Sequence, residues 1–248
     1  MTIQQRFTGR VCVVTGAASG IGAAVATALS REGAQVWRLD RRQGPGIIRC
    51  DVTNHQDVEN AQRTVLAETP VVHHIYNGVG ILPPRGGVPL EDEDVAEWNQ
   101  VFDTNVIGML RILKAFGRAL DSTGCASVVN MSSDQSLVPH GDALSYAASK
   151  AAVNSLTVGL AKQWVGRRTR VNAVAPGAVR TGFIDEIAGS GERRDSMHDH
   201  ADRVLPLGLA DPATTAALVL FLLSDDARHI TGEVWRCDSA QTLLGVRF

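Results

Sequence analysis

A tyrosine and a lysine four positions apart are the residues of this sequence best suited to moving a proton. The 248-residue chain contains two tyrosines and three lysines, and Tyr146 and Lys150 are one of each. A spacing of four places both side chains on one face of a helix. A phenol with a pKa of about 10 carries protons poorly at neutral pH, and a nearby ammonium lowers that pKa by stabilising phenolate. The pair predicts acid–base chemistry at a substrate oxygen.

A serine hydroxyl lies where it could act on the same oxygen. Ser133 precedes Tyr146 by thirteen positions and lies just past the apolar run 128–131. A hydroxyl at that point could hydrogen-bond the oxygen that Tyr146 protonates or deprotonates. Ser132 carries the same group one position earlier, so the two serines are local rivals.

A glycine-rich turn near the start of the chain predicts a phosphate-binding site. The apolar run 11–14 leads into Thr15-Gly16-Ala17-Ala18-Ser19-Gly20-Ile21-Gly22, and a helical pattern follows. Such a turn lets the backbone approach a pyrophosphate, whose charge is met by free N–H groups and the positive helix end. The rival reading, a nucleoside triphosphate loop, would end in Gly-Lys-Ser/Thr, which is absent here.

Asp40 indicates which nucleotide this turn would bind. It ends the second predicted strand, near the roughly 20-residue offset expected for a ribose-binding acid. A carboxylate there would accept hydrogen bonds from both adenosine ribose hydroxyls and repel a 2′-phosphate, which favours NAD over NADP. Arg41 and Arg42 keep the choice open, because an arginine can accommodate that phosphate. Asp51 and Val52, after the third strand, are expected beside the adenine.

Short β-branched runs alternate with amphipathic stretches along the whole chain. Strands are predicted at 11–15, 35–39, 47–50, 71–76, 127–131, 171–174 and 232–238, and helices at 21–31, 56–67, 94–120, 146–165 and 212–224. Segment 94–120 is one long helix or two helices joined near residues 103–105. This alternation is typical of parallel strands joined by crossover helices, with both faces of the sheet covered.

The domain organisation follows from the absence of an internal repeat or linker. Residues 1–248 are predicted to form a single dinucleotide-binding and catalytic domain. The polar segment 182–205 fits no core element and is predicted to be a substrate lid, with plain solvated surface as the alternative. His198 and His200 flank Asp199 within it, but spacing supplies no further ligand, so no metal is expected.

Composition excludes several function classes. The chain is 44% hydrophobic and 20% charged with a net charge of −2, so a globular protein without a nucleic-acid partner is expected. The longest wholly apolar run, 216–223, is too short to predict a membrane span. No apolar signal region precedes residue 10, which favours a cytoplasmic location. The four cysteines are isolated, which indicates buried thiols rather than a redox or metal motif.

With these residues in place, the chain resembles the short-chain dehydrogenase/reductase family along nearly its full length. The glycine turn, Tyr146 with Lys150, and Ser133 resemble three family motifs, and Asn105 in Asn105-Val106-Ile107-Gly108 corresponds to the family's asparagine. Pro176-Gly177-Ala178-Val179-Arg180-Thr181 resembles the motif that contacts the nicotinamide carboxamide. The resemblance implies a single doubly wound, parallel seven-stranded sheet, the Rossmann fold, with helices on both faces.

The resemblance also implies a reaction, reversible hydride transfer between a secondary alcohol or ketone and NAD. Tyr146 would take the hydroxyl proton and Ser133 would hold the oxygen. Lys150 would bind the nicotinamide ribose and lower the tyrosine pKa, and Asn105 would hold a water of the proton relay. Further cofactor contacts are implied for Asn77, Gly78, Val79, Pro176, Gly177, Val179 and Thr181. Small-molecule alcohols or ketones are the implied partners, and a homotetramer or homodimer is the implied assembly.

Three positions depart from the family pattern. Asn77-Gly78-Val79-Gly80 replaces Asn-Asn-Ala-Gly, so a local loss of hydrogen bonds to the central strand is expected. Asp238-Ser239-Ala240 replaces Asp-Gly-Gly near the C-terminus. Only ten residues separate Asp40 from Asp51, so a loop is predicted where most members carry a helix.

The substrate is less constrained than the reaction. Asp134, Gln135 and His140 are candidate pocket residues, and some features are similar to dehydrogenases that aromatise dihydroxycyclohexadiene carboxylates. A cyclic dihydrodiol or a hydroxy-acid is therefore a candidate. Arg85, Arg193 or Arg194 could grip a substrate carboxylate bidentately, or lie exposed at the surface.

Two other function classes are rivals of the enzyme. A catalytically silent NAD(P)-sensing regulator could keep the fold without turnover, but it would not need Ser133, Tyr146 and Lys150 together. A methyltransferase on a related sheet would explain Asp40 but not the Tyr146–Lys150 pair.

Overall fold

The computed structural model describes residues 5–120, 124, 126–183 and 192–245. These residues contain one sheet whose strands are β1 (Val11–Thr15), β2 (Gln35–Asp40), β3 (Ile47–Arg49), β4 (His74–Asn77), β5 (Ser127–Met131), β6 (Arg170–Pro176) and β7 (Val234–Cys237). All seven are parallel, in the order β3-β2-β1-β4-β5-β6-β7. The predicted doubly wound sheet is confirmed.

Helices cover both faces of this sheet. They are α1 (Gly20–Arg31), α2 (His55–Glu68), α3 (Val95–Phe102), α4 (Gly108–Phe116), α5 (Leu144–Trp164), α6 (Glu192–Val204), α7 (Pro212–Leu223) and α8 (Gln241–Leu244). Neighbouring residues of a strand point to opposite faces. Val13 accordingly belongs to a core formed with α2, α4 and α5, and Val14 to a core formed with α1 and α7. Every residue of β5 and β6 is buried, which explains why these strands are not amphipathic.

The structure decides how segment 94–120 is organised. A wide turn at Asp103–Ile107, with the hydrogen-bond pattern of a π-helix, joins α3 to α4, and Asn105 lies at its centre. The sequence left open one long helix or two joined helices, and the second alternative is confirmed. Such turns are often found at functional sites because they displace one side chain from the regular helical position.

Two local features test the sequence interpretation. No helix lies between β2 and β3, which confirms the predicted loop. The interpretation of 182–205 as a polar excursion without regular structure is wrong in part, because α6 occupies Glu192–Val204. This helix is polar on most of its surface, so it lacks the apolar periodicity by which helices are recognised. Residues 184–191 of the predicted lid, and Cys125, lie outside the described residues.

The strand register brings the functional segments to one edge. Thr15 pairs with Asn77, and Asn77 pairs with Asn130, so β1, β4 and β5 end at the same level. The direction in which strands are added to the sheet changes at β1. β2 and β3 lie on one side of β1, and β4 to β7 lie on the other side. A crevice at the carboxyl ends of the strands is expected at such a point.

Buried amides tie this edge to α5. Asn77 Nδ2 donates to Asn130 Oδ1 at 2.9 Å, and Asn130 Nδ2 donates to Thr157 Oγ1 at 3.0 Å. The Asn77 Oδ1 atom is buried without a hydrogen-bond partner, which agrees with the loss expected from Gly78. The Gly78 N–H instead donates to Thr15 Oγ1 at 3.1 Å.

We expect Thr157→Val to destabilise the protein. The substitution is close to isosteric, but it removes the acceptor for Asn130 Nδ2 at a fully buried position. An unsatisfied buried donor costs about 1–3 kcal/mol. Urea unfolding should show a loss of that size for Thr157→Val and a smaller loss for Thr157→Ser, which keeps the hydroxyl. An unchanged free energy of unfolding in Thr157→Val would contradict a stabilising role of this hydrogen bond.

Candidate active site

A cavity of about 790 Å³ opens along the carboxyl ends of the strands. It brings together the glycine turn and the Tyr146–Lys150 pair, which are about 130 positions apart in the chain. Of the predicted site residues, all line this cavity except Ala18, Asn77 and Asn105. Ala18 and Asn105 hydrogen-bond residues that do line it, Asp40 and Ile81, whereas Asn77 hydrogen-bonds Asn130, which does not.

The glycine turn shapes one end of the cavity. Gly16 has a φ of +70°, and a Cβ there would lie 2.9 Å from the carbonyl oxygen of Gly78. A Cβ at Gly22 would lie 2.1 Å from the carbonyl oxygen of Gly16. Side chains are thus excluded by backbone atoms at both positions. The backbone of the turn is left open to the cavity, as a pyrophosphate requires.

Asp40 closes the end of β2 against this turn. Its side chain is 6% exposed and accepts hydrogen bonds from the backbone N–H groups of Ala18 at 3.0 Å and Arg42 at 2.9 Å. The Arg42 guanidinium lies 3.6 Å from the same carboxylate and donates to the Ser19 hydroxyl. The two predicted determinants of nucleotide choice, acid and arginine, are therefore in direct contact.

Asp51 and Val52 line the cavity next to Asp40, as predicted. Hydrogen bonds from the hydroxyl and N–H of Thr53 hold the pKa of Asp51 below its usual range. Val52 packs on Gly108, where a Cβ would lie 2.6 Å from a Val52 methyl. The sequence gives no signal for this role of Gly108, because it depends on how closely α4 approaches the strand end.

The hydroxyl groups of Ser132 and Ser133 have different hydrogen-bond partners. Ser132 Oγ donates to Asn154 Oδ1 at 2.6 Å and is thus bound to α5. Ser133 Oγ donates to Asp134 Oδ1 at 2.9 Å and also hydrogen-bonds Tyr146. Both serines line the cavity, but Ser133 is the one that contacts Tyr146.

Tyr146 and Lys150 lie on one face of α5, as the spacing predicts. Lys150 is 2% exposed, its Nζ donates to the Met131 carbonyl at 3.0 Å, and burial lowers its pKa to about 8. That Nζ lies 5.5 Å from the Tyr146 ring centre. That the Lys150 ammonium lowers the pKa of Tyr146 stays a prediction. Burial raises the pKa of Tyr146, although the hydrogen bond to Ser133 acts in the opposite direction.

Asn105 is held behind the wall by hydrogen bonds at both ends of its amide. Oδ1 accepts from the Ile81 N–H at 2.8 Å, and Nδ2 donates to the Ile81 carbonyl and to Ser149 Oγ, each at 3.0 Å. This side chain thus fixes the backbone after β4. The same backbone passes close to Lys150, since a Cβ at Gly80 would lie 3.0 Å from the lysine Nζ.

The segment after β6 forms the remaining wall. A Cβ at Gly177 would lie 2.8 Å from Gln241 Oε1, which accepts a hydrogen bond from the Ala178 N–H. Thr181 approaches Gly20 so closely that a Cβ there would lie 3.2 Å from the threonine methyl. Gln241 belongs to the short helix α8, which the sequence does not predict, and so its contribution is missed.

The candidate substrate residues divide into two groups. Asp134, Gln135 and His140 line the cavity as predicted. Arg85 does not, because its exposed guanidinium pairs with Glu97 at 2.7 Å and Asp94 at 4.0 Å. The side chains of Arg193 and Arg194 lie outside the described residues.

Comparisons with known proteins agree with this geometry. A family profile described as Enoyl-(Acyl carrier protein) reductase matches residues 16–240. Galactitol 2-dehydrogenase (L-tagatose-forming) of Cereibacter sphaeroides is 34% identical, over 96% of this chain and 97% of that protein. NAD-dependent glycerol dehydrogenase of Listeria innocua is 33% identical, over 96% and 95%. The ligand-free structure of Thermoplasma acidophilum aldohexose dehydrogenase has a TM-score of 0.88 at 28% identity, covering 96% and 95%.

The buried Lys150 predicts a specific pH dependence of stability. Its pKa is about 8 in the native chain, whereas the unfolded chain keeps the proton to about pH 10.4. The contribution of Lys150 to the free energy of unfolding therefore rises with pH across this window, by at most about 1.4 kcal/mol per pH unit. Lys150→Met abolishes this contribution. The free energy of unfolding of the wild type minus that of the variant should therefore increase from pH 8 to pH 9.5.

Urea unfolding of both proteins in steps of pH measures this difference. The cysteines and tyrosines that also titrate there contribute to both proteins and cancel. Lys162→Met, on the exposed side of the same helix, is the matched control and should leave the pH slope unchanged. Equal slopes for wild type and Lys150→Met would contradict a lowered lysine pKa.

Proposed function

The chain belongs to the short-chain dehydrogenase/reductase family and is an oxidoreductase that acts on CH–OH groups, and we propose that it oxidises a secondary alcohol with NAD, reversibly. One observation carries the proposal. Ser133, Tyr146 and Lys150 meet at one end of a cavity whose other end is formed by the glycine turn and Asp40. The reacting groups and the nucleotide contacts thus share one continuous space.

The residues of the cavity fit a dinucleotide. Because Gly16 and Gly22 carry no side chains, the backbone segments of the turn pack closely together and the turn can be approached by the pyrophosphate. We assign Asp40 to the adenosine ribose, Asp51 and Val52 to the adenine, and the segment 176–181 to the nicotinamide carboxamide. When bound, the nicotinamide ring accepts the hydride of the carbinol carbon. A Rossmann cavity of this kind binds its dinucleotide at the carboxyl ends of the strands.

The chain's own residues manage the proton. Tyr146 takes the proton of the substrate hydroxyl, and Ser133 holds the oxygen through its hydroxyl. Lys150 carries a positive charge below its pKa of about 8 and favours the phenolate form that Tyr146 must reach. It also binds the nicotinamide ribose and passes protons to a water held near Asn105.

NAD is the proposed cofactor rather than NADP. Asp40 is buried at the end of β2 and aimed at the turn, so a 2′-phosphate there would meet a negative charge. The name of the similar glycerol dehydrogenase supports the same choice. Arg42 opposes it only weakly, because its guanidinium is engaged by Asp40 and Ser19.

The proposed substrates are small alcohols or ketones, as the names of the similar dehydrogenases suggest. We propose residues 1–248 as one functional domain, with 182–205 as a lid over the substrate. The Phe183 ring, 5.9 Å from that of Tyr146, supports the lid.

None of the described helices is long and apolar enough to span a membrane. Cytoplasmic location and a homotetramer or homodimer stay predictions.

Tyr146→Phe should abolish turnover while the dinucleotide still binds. The variant keeps the ring that packs on Phe183 and loses only the proton carrier. General acid–base catalysis contributes about 10²- to 10⁴-fold, so kcat should fall by at least that factor. Absorbance of reduced nicotinamide reports turnover with secondary alcohols, and calorimetry reports NAD binding. Turnover that survives the substitution would refute the mechanism, and a wild type that binds NAD without any turnover would favour the silent sensor.

Asp40→Asn should relax the preference for NAD. The amide keeps an acceptor for the Ala18 N–H but removes the charge that repels a 2′-phosphate. We expect the ratio of kcat/KM for NAD to that for NADP to fall on the order of 10-fold or more. Asp92→Asn removes an equal charge from an exposed turn outside the cavity and should leave the ratio unchanged. An unchanged ratio in Asp40→Asn would contradict the role of Asp40.

A further inference from the structure

Asp134 is a buried carboxylate beside the reacting groups that the proposed mechanism leaves without a role. It directly follows Ser133, lines the cavity and is 5% exposed. Its Oδ1 accepts hydrogen bonds from Ser133 Oγ at 2.9 Å and from the Gln135 N–H at 2.8 Å. Its Oδ2 accepts no hydrogen bond from any described residue and is not sealed from solvent. Because this oxygen is accessible and no described residue donates to it, a ligand hydroxyl can do so.

The backbone that carries Asp134 is held rigidly. Ser136 Oγ donates to the Ser133 carbonyl at 2.5 Å. The Ser136 hydroxyl in turn accepts a hydrogen bond from Asn154 Nδ2 at 2.8 Å. Ser132 is bound to Asn154 as well. The turn after β5 is therefore fixed to α5, so the carboxylate is presented in one orientation. Preorganised acceptors of this kind discriminate well between ligands.

A further acceptor lies next to it. Gln135 also lines the cavity, and its Oε1 is buried without a hydrogen-bond partner among the described residues. Two neighbouring positions thus offer acceptor oxygens that lack donors. Of the two, a ligand hydroxyl can reach the Oδ2 atom of Asp134, because the Gln135 oxygen is sealed from solvent.

The charges around the reacting end disfavour an acidic substrate. Its carboxylates are Asp134 and, at the exposed rim, Asp142, while His140 lies close enough to stabilise the charged form of Asp134. Burial and the carboxylate of Asp238 act in the opposite direction and raise the pKa of Asp134. Among the described residues, the one lysine or arginine at this end is Lys150, beneath Tyr146. No described guanidinium is placed to receive a substrate carboxylate there.

We propose that Asp134 binds a second hydroxyl of the substrate, next to the carbinol that reacts, and so selects neutral polyols or cyclic diols over hydroxy-acids and monoalcohols. The inference rests on the proposed function, because Ser133 is taken to hold the reacting oxygen. Asp134 Oδ1 lies 2.9 Å from Ser133 Oγ. The free oxygen of the same carboxylate therefore faces a substrate atom only one or two bonds beyond the reacting carbon.

Asp134→Asn separates this role from a role in orienting Ser133. Both donors to Oδ1 need an acceptor, so the amide oxygen takes that position and Ser133 stays held. The amide NH₂ then replaces Oδ2 and offers a donor where the substrate hydroxyl needs an acceptor. The side chain keeps its size, which favours a folded variant, and a melting curve checks this.

The substrates for the test differ by a single hydroxyl, cis-1,2-cyclohexanediol and cyclohexanol. Loss of a hydrogen bond to a charged group corresponds to about 10- to 100-fold in affinity. We expect Asp134→Asn to lower kcat/KM for the diol by that factor, mainly through KM, and to change the value for cyclohexanol less than about 3-fold. Asp92→Asn is the charge-matched control and should alter neither.

Equal losses for both alcohols, carried by kcat, would overturn the proposal and make Asp134 a positioning residue for Ser133. Calorimetric binding of both alcohols, with and without NADH, supplies a readout that does not need turnover. Tighter binding of the diol that is lost in Asp134→Asn supports the inference even if no alcohol is oxidised, in which case the proposed function alone fails. Equal binding of both alcohols to the wild type would refute the inference.

Discussion

The level ends of the parallel strands are the constraint on which the rest of the structure depends. Register pairs Thr15 with Asn77 and Asn77 with Asn130, so three strands stop at one edge. The buried amide chain to Thr157 then fixes α5 against that edge. Residues about 130 positions apart can therefore share one cavity, because each follows a strand that ends there. A shift of register would move the glycine turn away from Tyr146.

Burial at this edge shifts the pKa values of the ionisable groups in the cavity, and it also lowers the free energy of unfolding. Lys150, Tyr146 and Asp134 are all nearly enclosed, and in each case burial disfavours the charged form. Few described groups compensate them: the Met131 carbonyl for the lysine, and the Ser133 hydroxyl and the Gln135 N–H for Asp134. The cavity therefore holds ionisable groups whose protonation is poised to respond to a ligand. A stable core would not contain such groups without a function, since each of them lowers the free energy of unfolding.

Particular elements show why sequence predicts some features and not others. Strands buried on both faces give continuous apolar runs, so β1 and β5 could be predicted from pattern, and the parallel seven-stranded sheet from the resemblance. Helix α6 could not, because its residues are polar around most of the helix and periodicity has no apolar stripe to report. Gln241 and Gly108 were missed because their roles depend on contacts between segments distant along the chain. The rise in the pKa of Tyr146 on burial could not be inferred, because desolvation is not visible in a spacing of four residues.

The sequence by itself determined the family, the fold class and the residues at which chemistry can occur, because these depend on local patterns: glycines in a turn, an acid after a strand, and a tyrosine and lysine one helical turn apart. Tertiary structure alone decided that the Ser132 hydroxyl is bound to Asn154 whereas the Ser133 hydroxyl is bound to Asp134, and that Arg85 is paired with Glu97 away from the cavity. It also decided that Asp134 presents a free carboxylate oxygen beside Ser133. The physical reason is that orientation, hydrogen-bond partners and desolvation are set by atoms from other parts of the chain.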